Sequence, residues 1–181
     1  QGLYKKFALK RVYYSSYVPT NYTNSNLPVS PIGLLREHRL YQADWLMRFY
    51  GFTAEEITDE EDNLDPMFDP KYGWAIRHPE FFPVEISTAP AEVLLRVPGI
   101  GFKSAYKIVT ARKFSRLDFY SLHKLRVVLK RATPFITCNG KRLDEKDGTF
   151  FSAIERNVPD YEQISMFSTP AVALSAFNGQ L

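Results

Sequence analysis

Residues 94–109 read LLRVPGIGFKSAYKIV, and this stretch decides the fold of the region around it. An apolar helical run ends at Pro98-Gly99, the chain turns through a second glycine, Gly101, and a new helix follows at once. Glycine permits a positive φ and a close approach of a ligand to the backbone. Because a helix begins directly after the turn, its first N–H groups and its positive dipole end point outward, which suits a phosphate. The small Ala105 would let the two helices cross closely.

This pattern resembles a helix-hairpin-helix motif, a module that binds the nucleic-acid backbone. The alternative is an ordinary helical corner with a glycine C-cap, which is very common. The flanking apolar spacing and the alanine favour the hairpin motif. Lys103 and Lys107 lie one turn apart on the second helix and could flank the same phosphate. The residues predicted to bind the DNA backbone are Pro98, Gly99, Ile100, Gly101, Lys103, Ser104, Lys107 and Arg112.

Length and composition indicate a globular protein. The 181 residues suffice for a real core and for one or two small domains. No apolar run approaches the roughly 18 residues of a membrane helix, and no secretory signal is recognisable, so we expect a cytoplasmic protein with no membrane partner. Cys138 is the one cysteine, which excludes an internal disulfide and any all-cysteine metal site built by this chain alone. We expect Cys138 to be a buried small residue rather than a nucleophile.

The charges are distributed unevenly, although the net charge is only +3. Eight acidic residues and no Lys or Arg lie between residues 53 and 70. Between residues 89 and 132, ten bases stand against two acids, an excess of eight positive charges around the hairpin. Such asymmetry is typical of a nucleic-acid-binding face. The alternative is a solvated helical surface that balances the acidic segment, but the coincidence with the hairpin favours binding.

Other segments give weaker predictions. Residues 1–17 are rich in β-branched and aromatic residues and predict a strand, which must pair with something because one strand cannot stand alone. A helix is predicted from Pro31 to about Gly51, with an apolar stripe at helical spacing that we expect to pack in the core. The stripe consists of Leu34, His38, Tyr41, Trp45 and Phe49. Further short helices are predicted after Thr53 and Asp69 and, with Asp118 as cap, before residue 122.

Residues 122–132 read LHKLRVVLKRA and look like a degenerate second hairpin. Their apolar positions match the first hairpin and Ala132 matches Ala105, but the turn is one residue shorter and contains no glycine. We expect this copy to serve packing rather than phosphate contact, because no glycine turn exposes its amides. Its basic residues could still reach a backbone; they are Lys124, Arg126, Lys130 and Arg131. The predicted fold is therefore mainly α, with a helix-hairpin-helix, a degenerate second hairpin and one or two short N-terminal β-strands.

The C-terminal tail contains a candidate peptide motif. Residues Gln163–Phe167 read QISMF and resemble the short peptide by which bacterial repair proteins dock on the sliding clamp. The glutamine and the paired apolar residues would fill a polar notch and an apolar pocket of the clamp. The alternative is that this pentapeptide docks onto the domain itself.

Residues 11–141 resemble the C-terminal part of a bacterial family of radical SAM proteins assigned to DNA modification or repair. The matching segments are VYYSSYVP at 12–19, LLREHRLYQADWL at 34–46, RHPE at 77–80, VPGIG at 97–101, VLKRA at 128–132 and FITCNGK at 135–141. Each segment alone is weak evidence for the resemblance. Together the segments cover most of the chain, and the combination is specific.

The resemblance implies an upstream partial barrel with a CxxxCxxC motif that holds a [4Fe–4S] cluster and S-adenosylmethionine. This chain has no such motif, so we expect no cofactor in it and no radical chemistry from it alone. The implied domains are 1–30, the last strand and linker of a truncated barrel; 31–158, the helical domain with hairpins at 94–109 and 122–132; and 159–181, a tail. The expected function is sequence-independent DNA binding that delivers a radical SAM core, because phosphate contacts position a protein without reading sequence.

Two other functions remain open. A base-excision glycosylase built on the same hairpin would use Lys103 as a nucleophile that forms a Schiff base with an abasic sugar, with Asp118 as the downstream carboxylate. The spacing between them is short for such an enzyme, and the Gly/Pro-rich approach to the aspartate is missing. A protein-interaction module is the third possibility, because the acidic segment 53–70 could recruit a basic partner or mimic nucleic acid. The strandedness of a nucleic-acid ligand does not follow from the sequence.

Overall fold

Helices make up most of the regular structure, which confirms the prediction of a mainly α fold. The computed structural model describes residues 1–18, 26, 33–58, 63–65 and 67–143. The predicted clamp peptide at 163–167 lies outside these residues, as does the predicted tail that contains it. The proposed domain boundary near residue 30 stays a prediction, because residues 27–32 also lie outside the described ranges.

Most of the helices that the structure describes are short, and only two of them reach 10 residues or more. They are α1 (Gly2–Phe7), α2 (Leu34–Phe49), α3 (Ala54–Ile57), α4 (Pro70–Arg77), α5 (Ala91–Arg96), α6 (Phe102–Ala111), α7 (Phe119–Lys124) and α8 (Leu129–Ala132), with 3-10 turns at Pro79–Phe81 and Thr133–Phe135. Two short strands, β1 (Val84–Glu85) and β2 (Ile136–Thr137), pair in parallel, with Val84 opposite Ile136.

Side-chain caps fix the beginnings of three helices where the sequence predicted them. Thr53 and Glu56 form a reciprocal capping box at α3. Asp69 caps α4 by accepting a hydrogen bond from the backbone N–H of Tyr72 at 3.2 Å. Asp118 caps α7 by accepting one from the N–H of Ser121 at 2.7 Å. These predictions succeed because a cap satisfies amides only two or three residues away.

The prediction of one or two N-terminal β-strands is wrong. Residues 2–7 form helix α1, and residues 8–18 contain no strand. Their backbone groups bond instead to side chains, several of them on α2: the N–H of Tyr14 donates to the Tyr41 hydroxyl at 3.0 Å, and the N–H of Ser16 donates to Glu37 Oε2 at 2.8 Å. Since side chains supply these hydrogen bonds, the aromatic-rich segment satisfies its amides without a neighbouring strand.

The face of α2 that packs into the core also differs from the predicted stripe. Leu34, Trp45 and Phe49 are each about half exposed, whereas the buried residues are Arg39, Ala43, Asp44 and Leu46. Asp44 is buried because its carboxylate accepts a hydrogen bond from the Tyr4 hydroxyl and pairs with Arg48 at 2.8 Å. The predicted core role of the stripe is therefore wrong. The prediction counted only apolar side chains, but two residues of the buried face, Arg39 and Asp44, are charged.

The core lies beneath α4, α5 and α6 and is rich in aromatic rings. Phe135 makes edge-on contacts with Tyr72 and Phe82, at centroid distances of 5.3 and 4.9 Å. Trp74 makes a similar contact with Phe52 at 5.3 Å. Each such pair contributes about 0.5–1.5 kcal/mol beyond the burial of its area. The turn between α5 and α6 is anchored in this core through Val97, Pro98 and Ile100, which are fully buried.

Glu85 in β1 fastens the turn that follows β2. Its carboxylate accepts hydrogen bonds from the backbone N–H of Asn139 at 2.9 Å and of Gly140 at 2.8 Å, and from the N–H and hydroxyl of Ser87. Burial by itself would raise the pKa of Glu85, but the hydrogen bonds from Ser87, Gly140 and Asn139 outweigh it and lower the pKa to about 2. The ionised carboxylate thus holds the turn at Asn139-Gly140, a dipeptide that is typical of tight turns.

We expect Glu85→Gln to lower the free energy of unfolding by about 1–2 kcal/mol at neutral pH, a value reduced for partial solvent exposure. Because the folded pKa lies below the unfolded value of 4.5, the stabilisation is present above 4.5 and is lost as the pH falls towards 2. Urea unfolding across this range measures it. The wild type should lose more stability on acidification than Glu85→Gln, while the exposed control Glu92→Gln should behave as wild type. Equal acid sensitivity of Glu85→Gln and wild type would contradict the assignment.

Candidate nucleic-acid interface

The segment that joins α5 to α6 is a tight turn. The N–H of Val97 donates to the carbonyl of Leu94 at 3.1 Å, and the N–H of Ile100 donates to the carbonyl of Val97 at 3.2 Å. Gly99 has a φ of 81°, in the left-handed region that favours glycine. Gly101 then acts as the N-cap of α6 with an extended backbone. The chain therefore leaves one helix and enters the next within five residues.

The start of α6 presents backbone N–H groups without acceptors. Phe102 donates its N–H to the Tyr50 hydroxyl at 3.3 Å. Among the residues that the structure describes, the N–H groups of Gly101, Lys103 and Ser104 have no hydrogen-bond partner. They lie at the positive end of a helix of 10 residues, where an anion is favoured. Lys103 and Lys107 are exposed beside them.

Other residues predicted to bind DNA are occupied by contacts within the protein. Pro98 and Ile100 are buried in the core. The hydroxyl of Ser104 lies 3.0 Å from the carbonyl of Arg126 and donates to it. The guanidinium of Arg112 donates to the carbonyls of Ile86, at 3.2 Å, and Ala89, at 2.6 Å. Of the predicted residues at the start of α6, solvent reaches Lys103 and Lys107 and part of Gly101, whereas Ser104 is buried.

Gly99 is in direct contact with the second helix–turn–helix, formed by α7, residues 125–128 and α8. Its carbonyl accepts a hydrogen bond from the N–H of Val128 at 3.0 Å. A Cβ placed on Gly99 would lie only 2.6 Å from the carbonyl oxygen of Val128. The two turns therefore pack backbone to backbone, and this close approach is a second reason, besides its φ, for glycine at position 99.

A shallow basic groove lies beside this contact. It has a volume of about 460 Å³ and is lined by His123, Lys124, Arg126, Val127 and Val128. Arg126, whose carbonyl accepts the Ser104 hydrogen bond, connects the groove to the start of α6. Charge counting had indicated Lys124 and Arg126, but His123 was not among the predicted residues. A groove lined by one sign of charge concentrates the electrostatic potential that attracts a polyanion.

Lys71, a residue of α4, contacts the α5–α6 turn, and no sequence signal predicts this contact. Its side chain is buried, and Nζ donates to the carbonyl of Ile100 at 2.6 Å. Burial lowers the pKa of Lys71 to about 7; Asp69 raises it and Arg131 lowers it further. A lysine at the first turn of a short helix is ordinarily expected in solvent, so only the tertiary contact identifies it.

The two residues of the rival glycosylase hypothesis, Lys103 and Asp118, lie at the starts of different helices. Lys103 is exposed at the start of α6. The Asp118 carboxylate caps α7 and also accepts a hydrogen bond from the Ser121 hydroxyl at 2.6 Å. Cys138 is buried, as predicted, and burial raises the pKa of its thiol to about 12. Within the described ranges no three His, Cys, Asp or Glu side chains come together as metal ligands. A single buried cysteine does not fit a cluster that needs several thiolates.

The comparisons with known proteins add no assignment. Neither a protein-family model nor a curated protein nor a solved structure matches this chain. Among the helices that the structure describes, none combines the length and the apolar composition required to cross a membrane.

Proposed function

We propose that this chain binds the nucleic-acid backbone through the α5–α6 turn, acting as a helix-hairpin-helix. The observation that carries the proposal is the set of N–H groups at Gly101, Lys103 and Ser104, which have no acceptor in the described part of the chain. Groups of this kind at a helix start form a ready site for a phosphate oxygen. Lys103 and Lys107 add positive charge beside it.

Binding of this kind does not depend on base sequence, because amides and lysines contact phosphate rather than base edges. The basic groove extends the same surface across the second helix–turn–helix, through Lys124 and Arg126. The eight excess positive charges between residues 89 and 132 supply the long-range attraction. DNA is the proposed ligand because the resemblance in residues 11–141 is to a family assigned to DNA modification or repair.

The same resemblance suggests what the binding serves. We propose that the module delivers a radical SAM core to DNA. Since Cys138 is the only cysteine and is buried, residues outside this chain would hold the [4Fe–4S] cluster and S-adenosylmethionine. The catalytic step would then take place away from the hairpin, whose task is to hold the substrate.

The test is the binding of a fluorescent DNA oligonucleotide over a series of salt concentrations, measured by anisotropy. We expect the double variant Lys103→Glu/Lys107→Glu to weaken binding at least about tenfold at low salt and to reduce the slope of log K against log salt by about 2, or about 1 per lost phosphate contact. Lys113→Glu/Arg116→Glu is the matched control, because it makes the same change in net charge at two exposed bases beyond the end of α6.

A single substitution tests the amides themselves. Gly101→Glu introduces a negative charge at the residue that begins the proposed phosphate site, and it should weaken binding at least as much as the lysine variants. If Gly101→Glu and Lys103→Glu/Lys107→Glu bind DNA as tightly as wild type, the assignment of the hairpin fails. If Lys113→Glu/Arg116→Glu weakens binding equally, the effect is one of total charge and not of this site.

A further inference from the structure

A cleft of about 350 Å³ lies directly beside the α5–α6 turn, between α2, α4 and α8. It is lined by Tyr41, Gln42, Trp45, Leu46, Tyr50, Asp69, Pro70, Lys71 and Arg131. Its size is at the lower end of the range of small-molecule sites, about 300–1,000 Å³. It therefore suits one planar ring system rather than a long chain.

One wall of the cleft carries aromatic rings whose polar ends are already bonded elsewhere. The Tyr41 hydroxyl bonds to the backbone N–H and carbonyl of Tyr14, both at 3.0 Å. The Tyr50 hydroxyl accepts the N–H of Phe102. Trp45 is 53% exposed although it belongs to a helix that packs on the core. Rings held in this way form a surface on which a flat aromatic ligand stacks, with about equal affinity for any base.

Polar groups also line the cleft, and one of them, Lys71 Nζ, lies over the Tyr50 ring at 4.9 Å from its centroid. Lys71 Nζ donates one hydrogen bond to the carbonyl of Ile100, and its remaining N–H groups could donate to a ligand. The carboxylate of Asp69 pairs with the guanidinium of Arg131. Gln42 adds an amide that is exposed at the rim. These groups offer both donors and acceptors, as the edge of a nucleobase requires.

Two hydrogen bonds join the cleft to the proposed phosphate site. Lys71 bonds to the carbonyl of Ile100 and Tyr50 to the N–H of Phe102, so two lining residues touch the turn that would hold the phosphate. A nucleotide whose phosphate lies at the start of α6 therefore has its sugar and base next to this cleft. A duplex keeps its bases stacked and paired, whereas a single strand can turn one base outward.

We propose that the cleft accepts an unpaired nucleobase of the strand whose phosphate lies at the start of α6. The inference rests on the proposed function and makes it more specific, because it selects single-stranded or locally unpaired DNA over an intact duplex. The base stacks on the exposed ring of Trp45, and its edge meets Gln42 and Lys71, whose ammonium lies over the Tyr50 ring. The contact is not specific for one base, since stacking dominates it.

The experiment uses the full chain and compares a mixed-sequence single-stranded oligonucleotide with the duplex of the same sequence. The chain has two tryptophans, of which Trp74 is buried and Trp45 exposed, so a ligand in the cleft changes the emission of Trp45. We expect the single strand to quench this emission and to bind more tightly than the duplex. Trp45→Ala should weaken single-strand binding about tenfold and leave duplex binding unchanged, and Trp45→Phe should restore most of it.

Controls separate this proposal from the proposed function. Phe114→Ala removes another exposed ring, 84% accessible, that lies outside the cleft, and it should leave single-strand binding unchanged. If Trp45→Ala binds both ligands as wild type does, while Lys103→Glu/Lys107→Glu binds neither, the cleft proposal is overturned and the hairpin assignment stands. If the lysine variant binds both ligands as wild type does, the proposed function fails and the cleft proposal fails with it.

Discussion

Replacing Gly99 with alanine is expected to lower the free energy of unfolding by about 3 kcal/mol or more. The φ of 81° is unfavourable for any residue with a Cβ, at a cost of about 1–3 kcal/mol. The new methyl group would also lie 2.6 Å from the Val128 carbonyl oxygen, a backbone atom. It cannot be accommodated unless the two turns separate, and separation breaks the hydrogen bond from the Val128 N–H to the Gly99 carbonyl.

The matched control is Gly101→Ala, two residues further along the same turn. Gly101 has a φ of −96°, which alanine adopts without strain, and an added Cβ would have its nearest neighbour, the Tyr50 hydroxyl oxygen, at 3.5 Å. We expect its stability to stay within about 1 kcal/mol of wild type. Urea unfolding followed by circular dichroism measures both variants. Similar losses for the two substitutions would contradict the turn-to-turn contact described for Gly99.

Arg112→Ala is the second substitution with a large expected effect, a loss of about 2–3 kcal/mol in the free energy of unfolding. Its guanidinium donates to the carbonyls of Ile86 and Ala89, residues that are themselves buried. Removing a charged donor leaves these acceptors unpaired, and hydrogen bonds of this type contribute about 1.5–3 kcal/mol. These two contacts tie the end of α6 to the segment that precedes α5.

The neighbouring Lys113→Ala serves as control, because Lys113 is exposed and its substitution should change stability by less than about 0.5 kcal/mol. Chemical denaturation of the two variants under the same conditions gives the comparison. DNA affinity of Arg112→Ala should be measured below its unfolding transition, so that a loss of folded protein is not taken for a loss of contact. An Arg112→Ala variant as stable as Lys113→Ala would show that the two carbonyl contacts contribute little.

The parts of the fold that the sequence predicts are those decided locally. Thr53, Asp69 and Asp118 cap helices whose first amides lie within three residues, and the Asn139-Gly140 turn lies where its sequence indicates. The errors arise where distant residues decide. Asp44 is buried because Tyr4, 40 residues away, bonds to it. Residues 8–18 form no strand for the same reason. Side chains of α2 supply hydrogen bonds to their backbone, and a local sequence pattern cannot reveal such contacts.

The candidate site also combines features that are local in sequence with contacts between distant residues. The turn at residues 97–101 and the exposed lysines of α6 are visible in the sequence because the motif is contiguous. The sequence suggests that Gly99 allows a ligand to approach the backbone closely. In the fold it is the backbone of Val128 that approaches Gly99 closely. Lys71 and Tyr50 are 29 and 52 residues from their partners on the turn, so no spacing rule could associate them with it. Whether the eight predicted residues bind DNA stays a prediction for the variants above.

The pairing of β1 with β2 has a consequence for how this region could be inherited. Val84 and Ile136 are neighbours in the short parallel pair, so the two helix–turn–helix units between them form a loop that starts and ends at one place. A loop with adjacent ends can be inserted into, or removed from, a surface of another protein with little distortion of the host. Transplanting residues 84–141 as a single cassette into an unrelated scaffold would keep these ends together. The host would have to replace the contacts that the cassette makes with Tyr50, Glu56, Asp69, Lys71, Tyr72 and Phe82.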